Sequence, residues 1–225
     1  MCARYALYYA PAPTDPLWAL AAAWLGRDPE ADAAVAQPDL PDIAAVTAEP
    51  RLYGFHATLK PPMRLRDGAG RDDLLAVARA IAAAAPAFDL PPLEVAAPHG
   101  FLALRESRPC PPLQALADAA VAWADPLRAP PDAAELARRR GSGLPPAAEA
   151  NLRRWGYPYV FATWFFHLTL TRRLSSAEHA LYRPAAEAHF ADVLALPRRV
   201  SEICLFAQPT PGAAFILDAR ISLAG

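Results

Sequence analysis

The sequence is short of cysteine and lysine and holds no long apolar run, and these shortages exclude several classes of protein. Its 225 residues include three cysteines, Cys2, Cys110 and Cys204, which are too dispersed for a C-x-x-C motif or a secreted disulfide framework. No apolar stretch of about 18 residues suggests a membrane span, and the N-terminus does not resemble a signal peptide. We therefore expect a cytoplasmic protein with no membrane partner.

Neither sign of charge is in excess. The chain carries 22 basic and 23 acidic residues, which gives a formal net charge of −1. A protein that binds long nucleic acid through the phosphate backbone usually has a basic excess. We therefore do not expect large nucleic acid as the partner, and a small phosphorylated molecule fits the composition better.

Sequence motifs for metal ions and for nucleotide phosphates are also missing. There is no H-E-x-x-H, no Cys/His cluster and no EF-hand loop. The Gly141-Ser142-Gly143 segment lacks the strand-to-helix setting of a phosphate-binding loop and of a G-x-S-x-G elbow. We expect neither a metal nor another cofactor.

The order of the predicted elements indicates an internal repeat. Hydrophobic periodicity, capping residues and prolines predict β, α, β, α, β, β, followed by α, an insertion, β, α, β, β. The second set repeats most of the first, and strands that alternate with helices and hairpins favour an α+β fold. Residues 27–51 are interpreted as a loop with one helical turn, and residues 126–158 as an insertion of short surface helices, a candidate lid.

Two matching segments stand out, one in each half of the chain. Phe55-His56-Ala57-Thr58-Leu59 and Phe166-His167-Leu168-Thr169-Leu170 agree at four of five positions in a chain with only five histidines. Side chains two residues apart on a strand share a face, so each segment presents an imidazole and a hydroxyl on one face and apolar residues on the other. If the repeats pack about a pseudo-twofold axis, both histidines and both threonines meet across one cleft.

The same period identifies further candidates for contacts to the substrate. Lys60, the only lysine in the chain, has the parity of Thr58, while Thr171 and Arg173 have the parity of Thr169. These three side chains are predicted to bind phosphate, provided that the strands stay regular. The alternative for either motif alone is a buried histidine bonded to the backbone.

Two imidazoles and two hydroxyls suit the cleavage of a phosphate ester without a metal. Histidine titrates near neutral pH, so one ring can act as base while the other acts as acid. Threonine hydroxyls can donate to the non-bridging oxygens, where negative charge lies in the transition state. Which histidine is the base stays open. The other histidines, His99, His179 and His189, lack a comparable context.

These residues resemble the two-histidine (2H) phosphoesterase superfamily, which is defined by two H-x-[ST]-x motifs, here at His56 and His167. The flanking segments Tyr53–Lys60 and Gly156–Val160 resemble the branch described as phosphonate-metabolism proteins. The resemblance implies one bilobal domain over residues 1–225, with an antiparallel sheet and flanking helices in each lobe and a central cleft. The lobes correspond to residues 1–110 and 159–225 and can exchange strands. Tyr53 becomes a further candidate substrate contact.

The resemblance implies metal-independent hydrolysis of a cyclic phosphodiester on a small ribose or nucleotide, with His56, His167, Thr58 and Thr169 as catalytic residues. Two alternatives stay open. The cleft could bind a phosphorylated ligand without turnover, or the chain could be an RNA-processing esterase or ligase that uses the basic residues 138–140, 153 and 154.

Overall fold

The computed structural model describes residues 3–141 and 143–225, and its strands form two main antiparallel sheets and two short pairs. The strands are β1 (Arg4–Tyr9), β2 (Arg27–Asp28), β3 (Ala33–Ala34), β4 (Ala57–Met63), β5 (Phe88–Leu90), β6 (Leu93–Ala96), β7 (Phe101–Glu106), β8 (Leu168–Arg173), β9 (Arg198–Val200), β10 (Glu202–Gln208) and β11 (Ile216–Ser222). The first sheet has the order β11-β10-β1-β4 and the second has the order β6-β7-β8. Strands β2 and β3 pair with each other, as do β5 and β9.

The helices pack around these sheets. They are α1 (Pro16–Leu25), α2 (Ile43–Val46), α3 (Ala48–Tyr53), α4 (Arg71–Ala84), α5 (Pro111–Ala124), α6 (Ala133–Arg140), α7 (Pro146–Trp155) and α8 (Ser176–Leu194). Helix α1 begins where the Asp15 carboxylate accepts a hydrogen bond from the Leu17 amide, and it ends at Gly26 in the left-handed conformation. Helix α8 is capped by Ser175, whose hydroxyl accepts a hydrogen bond from the Glu178 amide. Helices combined with antiparallel sheets confirm the α+β class.

Neither main sheet is built from one half of the sequence. The first takes β1 and β4 from the N-terminal half and β10 and β11 from the C-terminal half, and β8 joins β6 and β7 in the second. The motif strands β4 and β8 are both edge strands. The edge position explains why Pro61 and Pro62 are tolerated inside β4. Proline has no backbone N–H to donate, and an edge strand has a hydrogen-bonded neighbour on one side only.

A large apolar core fixes the direction in which the motif strands face. Phe55, Ala57 and Leu59 are buried, as are Phe166, Leu168 and Leu170, and all six belong to one hydrophobic cluster with residues of α1, α4, α5 and α8. The indole nitrogen of Trp24 in α1 donates to the carbonyl of Leu170 at 3.1 Å. The predicted alternation of apolar and polar faces is therefore present over both motifs.

The segment 27–51 is more ordered than the predicted loop, because it contains the β2–β3 pair, α2 and most of α3. Polar side chains hold it together. The Arg51 guanidinium donates to the carbonyl of Leu25 at 2.7 Å, to Oε1 of Gln37 at 2.9 Å and to Oγ1 of Thr47 at 3.0 Å. A network of this kind leaves no hydrophobic period in the sequence.

The insertion at 126–158 does contain the predicted short helices, α6 and α7. Among the described residues, no helix has both the length and the apolar character needed to cross a membrane.

Candidate active site

Both histidines of the repeated motif line one cavity of about 640 Å³. His56 lies immediately before β4 and His167 immediately before β8, and Thr58 and Thr169 border the same cavity. All four side chains are partly buried. The structure therefore brings together the four residues that the sequence predicts as a group.

The two imidazoles are held in the same way. Nδ1 of His56 lies 2.9 Å from the carbonyl oxygen of Gly54, and Nδ1 of His167 lies 3.0 Å from the carbonyl oxygen of Phe165. A carbonyl oxygen can only accept, so each Nδ1 carries the proton. In a neutral ring, Nε2 is then the nitrogen with a free lone pair. Nε2 of His56 lies 3.4 Å from the Thr58 hydroxyl, which can donate to it.

Aromatic rings cover one face of each imidazole. The ring of Tyr8 in β1 stacks on His56 with 3.7 Å between centroids and 21° between planes. The ring of Phe165 stacks on His167 at 4.6 Å, and Phe101 of β7 approaches the same imidazole by its edge at 5.6 Å. These contacts fix the ring orientations and remove water from the imidazoles.

Burial shifts the protonation of both rings. It lowers the pKa of His56 to about 4, although the hydrogen bond to Gly54 raises it, and nearby His167 lowers it further. Burial likewise lowers the pKa of His167, against the raising effect of the bond to Phe165 and with a lowering contribution from Arg105. Both imidazoles are therefore mainly neutral near pH 7 in the free protein. A bound anion would raise both pKa values.

Three further predicted contact residues border the cavity. Arg173 is exposed and lines the cavity next to Thr169. Tyr53 of α3 lines it from the other side, where it stacks on Phe215 at 5.2 Å. Thr171 is almost fully buried, and its hydroxyl oxygen accepts a hydrogen bond from the Leu102 amide at 3.0 Å.

The prediction that Lys60 contacts the substrate is wrong. Lys60 is 1% exposed and lies outside the cavity, and its Nζ donates to Oδ1 of Asp125 at 3.2 Å and to the carbonyl of Val121 at 3.3 Å. The cause is a bulge in β4: Tyr8 pairs with Thr58, whereas the preceding residue of β1 already pairs with Lys60. The bulge breaks the two-residue period and turns the lysine into the protein.

Several cavity residues were missed at the level of sequence. Arg4 and Tyr8 reach the cavity from β1, and Arg138, Arg172 and Tyr157 complete other parts of its wall. A weak signal existed for the first two, because Arg4 and Tyr8 share one face of β1 under the strand period. Their pairing with β4 is a long-range contact that the local pattern does not reveal.

A smaller pocket of about 210 Å³ adjoins the histidine cavity and shares five lining residues with it: Thr58, Phe101, Tyr157, His167 and Arg173. Most of its wall is aromatic, with contributions from His99, Phe101, Tyr157, Tyr159, Trp164 and Phe165. The Trp164 indole donates to the carbonyl of Thr58 at 2.8 Å and so joins the segment before β8 to β4. A flat ring could stack in this pocket.

The polar lining of the main cavity carries more basic than acidic side chains, although Arg139 pairs with Glu135 at 2.7 Å and Arg172 with Glu178 at 2.7 Å. Among the described residues, five arginines and one carboxylate, that of Glu49, line it; the arginines are Arg4, Arg138, Arg139, Arg172 and Arg173. In the same part of the chain, no three His, Cys, Asp or Glu side chains are grouped closely enough to hold a metal ion. The donor set suits an anion.

Comparisons with known proteins show the family to which the chain belongs. The family described as "Protein of unknown function (DUF1045)" matches residues 58–216, which is well over half of the chain. A protein of Janthinobacterium sp. (strain Marseille) named ribose 1,5-bisphosphate phosphokinase PhnN is 41% identical over 232 residues, covering 99% of this chain and 51% of that protein. A protein of the same name from Laribacter hongkongensis (strain HLHK9) is 41% identical over 218 residues, covering 95% of this chain and 50% of the relative. The chain thus spans about half the length of these relatives.

Among solved structures, Escherichia coli LigT in complex with 3′-AMP has a similar fold. The TM-score is 0.51 at 15% sequence identity, and the match covers all of both chains. This likeness confirms, for the fold, the resemblance to the 2H phosphoesterases that the paired motifs indicate. The chain therefore belongs to the DUF1045 family and has the fold of the 2H phosphoesterase LigT.

Proposed function

We propose that the protein is a phosphoesterase that hydrolyses a cyclic phosphodiester on a small ribose or nucleotide without a metal, using His56 and His167 as the acid/base pair. One observation carries the proposal: both imidazoles line one cavity, and each is held through Nδ1 by the carbonyl two residues earlier. This arrangement leaves both Nε2 atoms for proton transfer.

The two histidines divide the reaction between them. His56 Nε2 takes a proton from water as the water oxygen forms a bond to phosphorus. The ring P–O bond breaks, and His167 Nε2 delivers its proton to the leaving alkoxide oxygen. One water is consumed, one phosphomonoester forms, and a proton returns from His56 to His167 through solvent before the next turnover.

The pKa shifts support His56 as the base. Its pKa is lowered to about 4, so the ring is neutral at physiological pH, and its neighbour His167 disfavours protonation. In this assignment His167 carries the proton when the anionic substrate binds. Thr58 and Thr169 bind the non-bridging oxygens, and the basic lining of the cavity supports the developing negative charge.

The names of the relatives support a ribose phosphate as the scaffold of the substrate. Those relatives are named for ribose 1,5-bisphosphate, and together with the resemblance to phosphonate-metabolism proteins this name supports a ribose phosphate as substrate. This chain contains no G-x-x-x-x-G-K-[ST] loop, and its only lysine, Lys60, is buried against Asp125. The aromatic side pocket would also admit a base, which keeps a nucleotide in the substrate class.

An RNA-processing role receives less support from the charges. Arg139 pairs with Glu135 at 2.7 Å, Arg140 with Glu149 at 2.9 Å and Arg154 with Asp125 at 3.3 Å, so most of the predicted basic patch is neutralised. Steep salt dependence of RNA binding, lost on neutralising residues 138–140, would revive this alternative.

A screen tests the proposed function. Ribosyl and nucleoside cyclic phosphates are incubated with the protein and a chelator, and the products are followed by phosphorus NMR. We expect ring opening to one phosphomonoester isomer. The control variant His189→Ala should retain this activity, since His189 lies on α8 and bonds to the carbonyl of Leu20. Loss of activity on chelation contradicts metal independence. Tight binding without any product favours a ligand-binding protein instead.

A further inference from the structure

One end of the cavity carries donors that ester hydrolysis at a single phosphorus does not require. We call it the tyrosine–arginine end and define it by Arg4, Tyr8, Tyr53 and Tyr157, all of which line the cavity. Three elements supply these residues: β1, the end of α3 and the segment after α7. Tyr53 and Tyr157 belong to the two flanking segments that resemble the phosphonate-metabolism branch.

Contacts around Phe215 hold most of this group together. The ring of Tyr53 stacks on Phe215 at 5.2 Å, the ring of Tyr8 lies 6.4 Å from it, and Cζ of Arg4 lies 5.5 Å from its centroid. The fourth residue, Tyr157, contacts helix α6 of the insertion, because Cζ of Arg139 lies 4.8 Å from the centroid of its ring. Side chains from three different elements therefore line the same part of the wall of one cavity.

Part of the hydrogen-bonding capacity in this region is unused. Tyr8 is fully buried, yet within residues 3–141 and 143–225 its hydroxyl has no hydrogen-bond partner. An unpartnered buried hydroxyl is costly, and it signals a ligand or a bound water. Nε of Arg4 donates to Oε1 of Gln208 at 2.7 Å, and in the same described ranges no carboxylate pairs with this guanidinium. Burial and the neighbouring Tyr53 raise the pKa of Tyr8, and burial raises the pKa of Tyr157, so both phenols remain donors.

We propose that the tyrosine–arginine end binds a second phosphate group, a terminal phosphomonoester of the same substrate whose cyclic phosphodiester lies between His56 and His167. This inference rests on the proposed function. Guanidinium and phenol donors match the several acceptor oxygens of a phosphomonoester, and charge-assisted hydrogen bonds are the strong ones. Tyr8 links the two sites, since its ring stacks on His56. Binding a remote phosphate would position the reacting phosphorus against the imidazoles.

Two substrates test this assignment: a nucleoside 2′,3′-cyclic phosphate and the same compound with a 5′-phosphate. The readout is the ratio of their kcat/KM values. We expect the 5′-phosphate to raise kcat/KM about 100-fold, and the ratio to fall to about 10 or less in Arg4→Gln and Tyr8→Phe. Arg79→Gln is the control, because Arg79 is exposed on α4 away from the cavity. A ratio near one in the wild type, or a ratio unchanged in both variants, overturns the proposal.

Two additional arms separate the other outcomes. Inorganic phosphate is added to the substrate that lacks the 5′-phosphate; full recovery of the rate would reveal a site for free anions and overturn the assignment to the substrate's own phosphate. If neither these two compounds nor any cyclic phosphate of the wider screen is hydrolysed, the proposed function fails, and calorimetry with ribose 5-phosphate decides the inference. Weaker binding to Arg4→Gln than to Arg79→Gln supports the second phosphate site, whereas equal or no binding overturns it.

Discussion

The phenol ring of Tyr8 and the imidazole of His56 lie nearly parallel, with 3.7 Å between their centroids. This contact keeps water from one face of the imidazole, and burial is the main reason that the pKa of His56 falls to about 4. We therefore expect the stack to contribute both to the orientation of the proposed base and to its lowered pKa.

Removing the Tyr8 ring should raise the pKa of His56 from about 4 toward its ordinary value of 6.5, because the imidazole regains water. Tyr8→Phe keeps the ring and should leave that pKa near its wild-type value. The measurement is an NMR titration of the His56 ring in Tyr8→Ala and Tyr8→Phe. Tyr8→Ala also loses about 3–5 kcal/mol of stability, since a large buried ring is deleted. The same pKa in both variants would show that the stack does not control it.

The lowered pKa values predict an acidic optimum for kcat/KM. This parameter reports the free enzyme, in which His56 must be deprotonated and His167 protonated. The rate should rise as pH increases through about 4, the pKa of His56, and fall above the pKa of His167, which lies below 6.5. The optimum for kcat should lie at higher pH, because the bound phosphate raises both pKa values. An alkaline optimum for kcat/KM would contradict the assignment.

Gly54 should tolerate no side chain. Its φ of 74° and ψ of 176° belong to a region that only glycine enters readily, and an added Cβ would lie 2.6 Å from Cγ of Pro29. Its carbonyl also holds Nδ1 of His56. Gly54→Ala should cost about 1–3 kcal/mol of stability and lower kcat. The control is Gly68→Ala, which has φ of 80° with no atom near the added Cβ. Equal turnover of the two variants would contradict a role for Gly54 in placing the imidazole.

The buried lysine should matter for stability and not for turnover. In Lys60→Met the Asp125 carboxylate keeps its ion pair with Arg128 at 2.7 Å, whereas Asp125→Asn leaves the Lys60 ammonium buried without a counter-charge. Asp125→Asn should therefore destabilise the protein by about 3–5 kcal/mol, and Lys60→Met by clearly less. Urea denaturation measures the difference. A large loss of kcat in a folded Lys60→Met protein would contradict this purely structural role and support the original prediction that Lys60 binds the substrate.

The central part of the site could be predicted from sequence because it obeys a local rule. The two-residue period of a strand fixes which face His56 and Thr58 share, and the repetition at His167 and Thr169 indicates a shared cleft. The same rule fails for Lys60, because a bulge changes the parity after Thr58. Bulges depend on pairing with a distant strand, and a single sequence does not show them.

The remainder of the site depends on contacts between distant parts of the chain. Arg4 and Tyr8 reach the cavity only because β1 pairs with β4, and Tyr157 only because part of the insertion lines the cavity. The local sequence pattern also does not show that each main sheet takes strands from both halves of the chain. The α+β class and the order of the elements outside residues 27–51 were largely predictable, since helix caps and strand periods are local signals.

The most direct test of the paired-imidazole site is the turnover of one cyclic phosphodiester by the wild type, His56→Ala, His167→Ala and the double variant. Each single substitution should lower kcat by roughly 10²–10⁴, since each removes one proton-transfer group. The double variant should lose less than the product of the two single losses, because the groups act as a unit. Full activity in either single variant, with His189→Ala unchanged, would contradict catalysis by the pair.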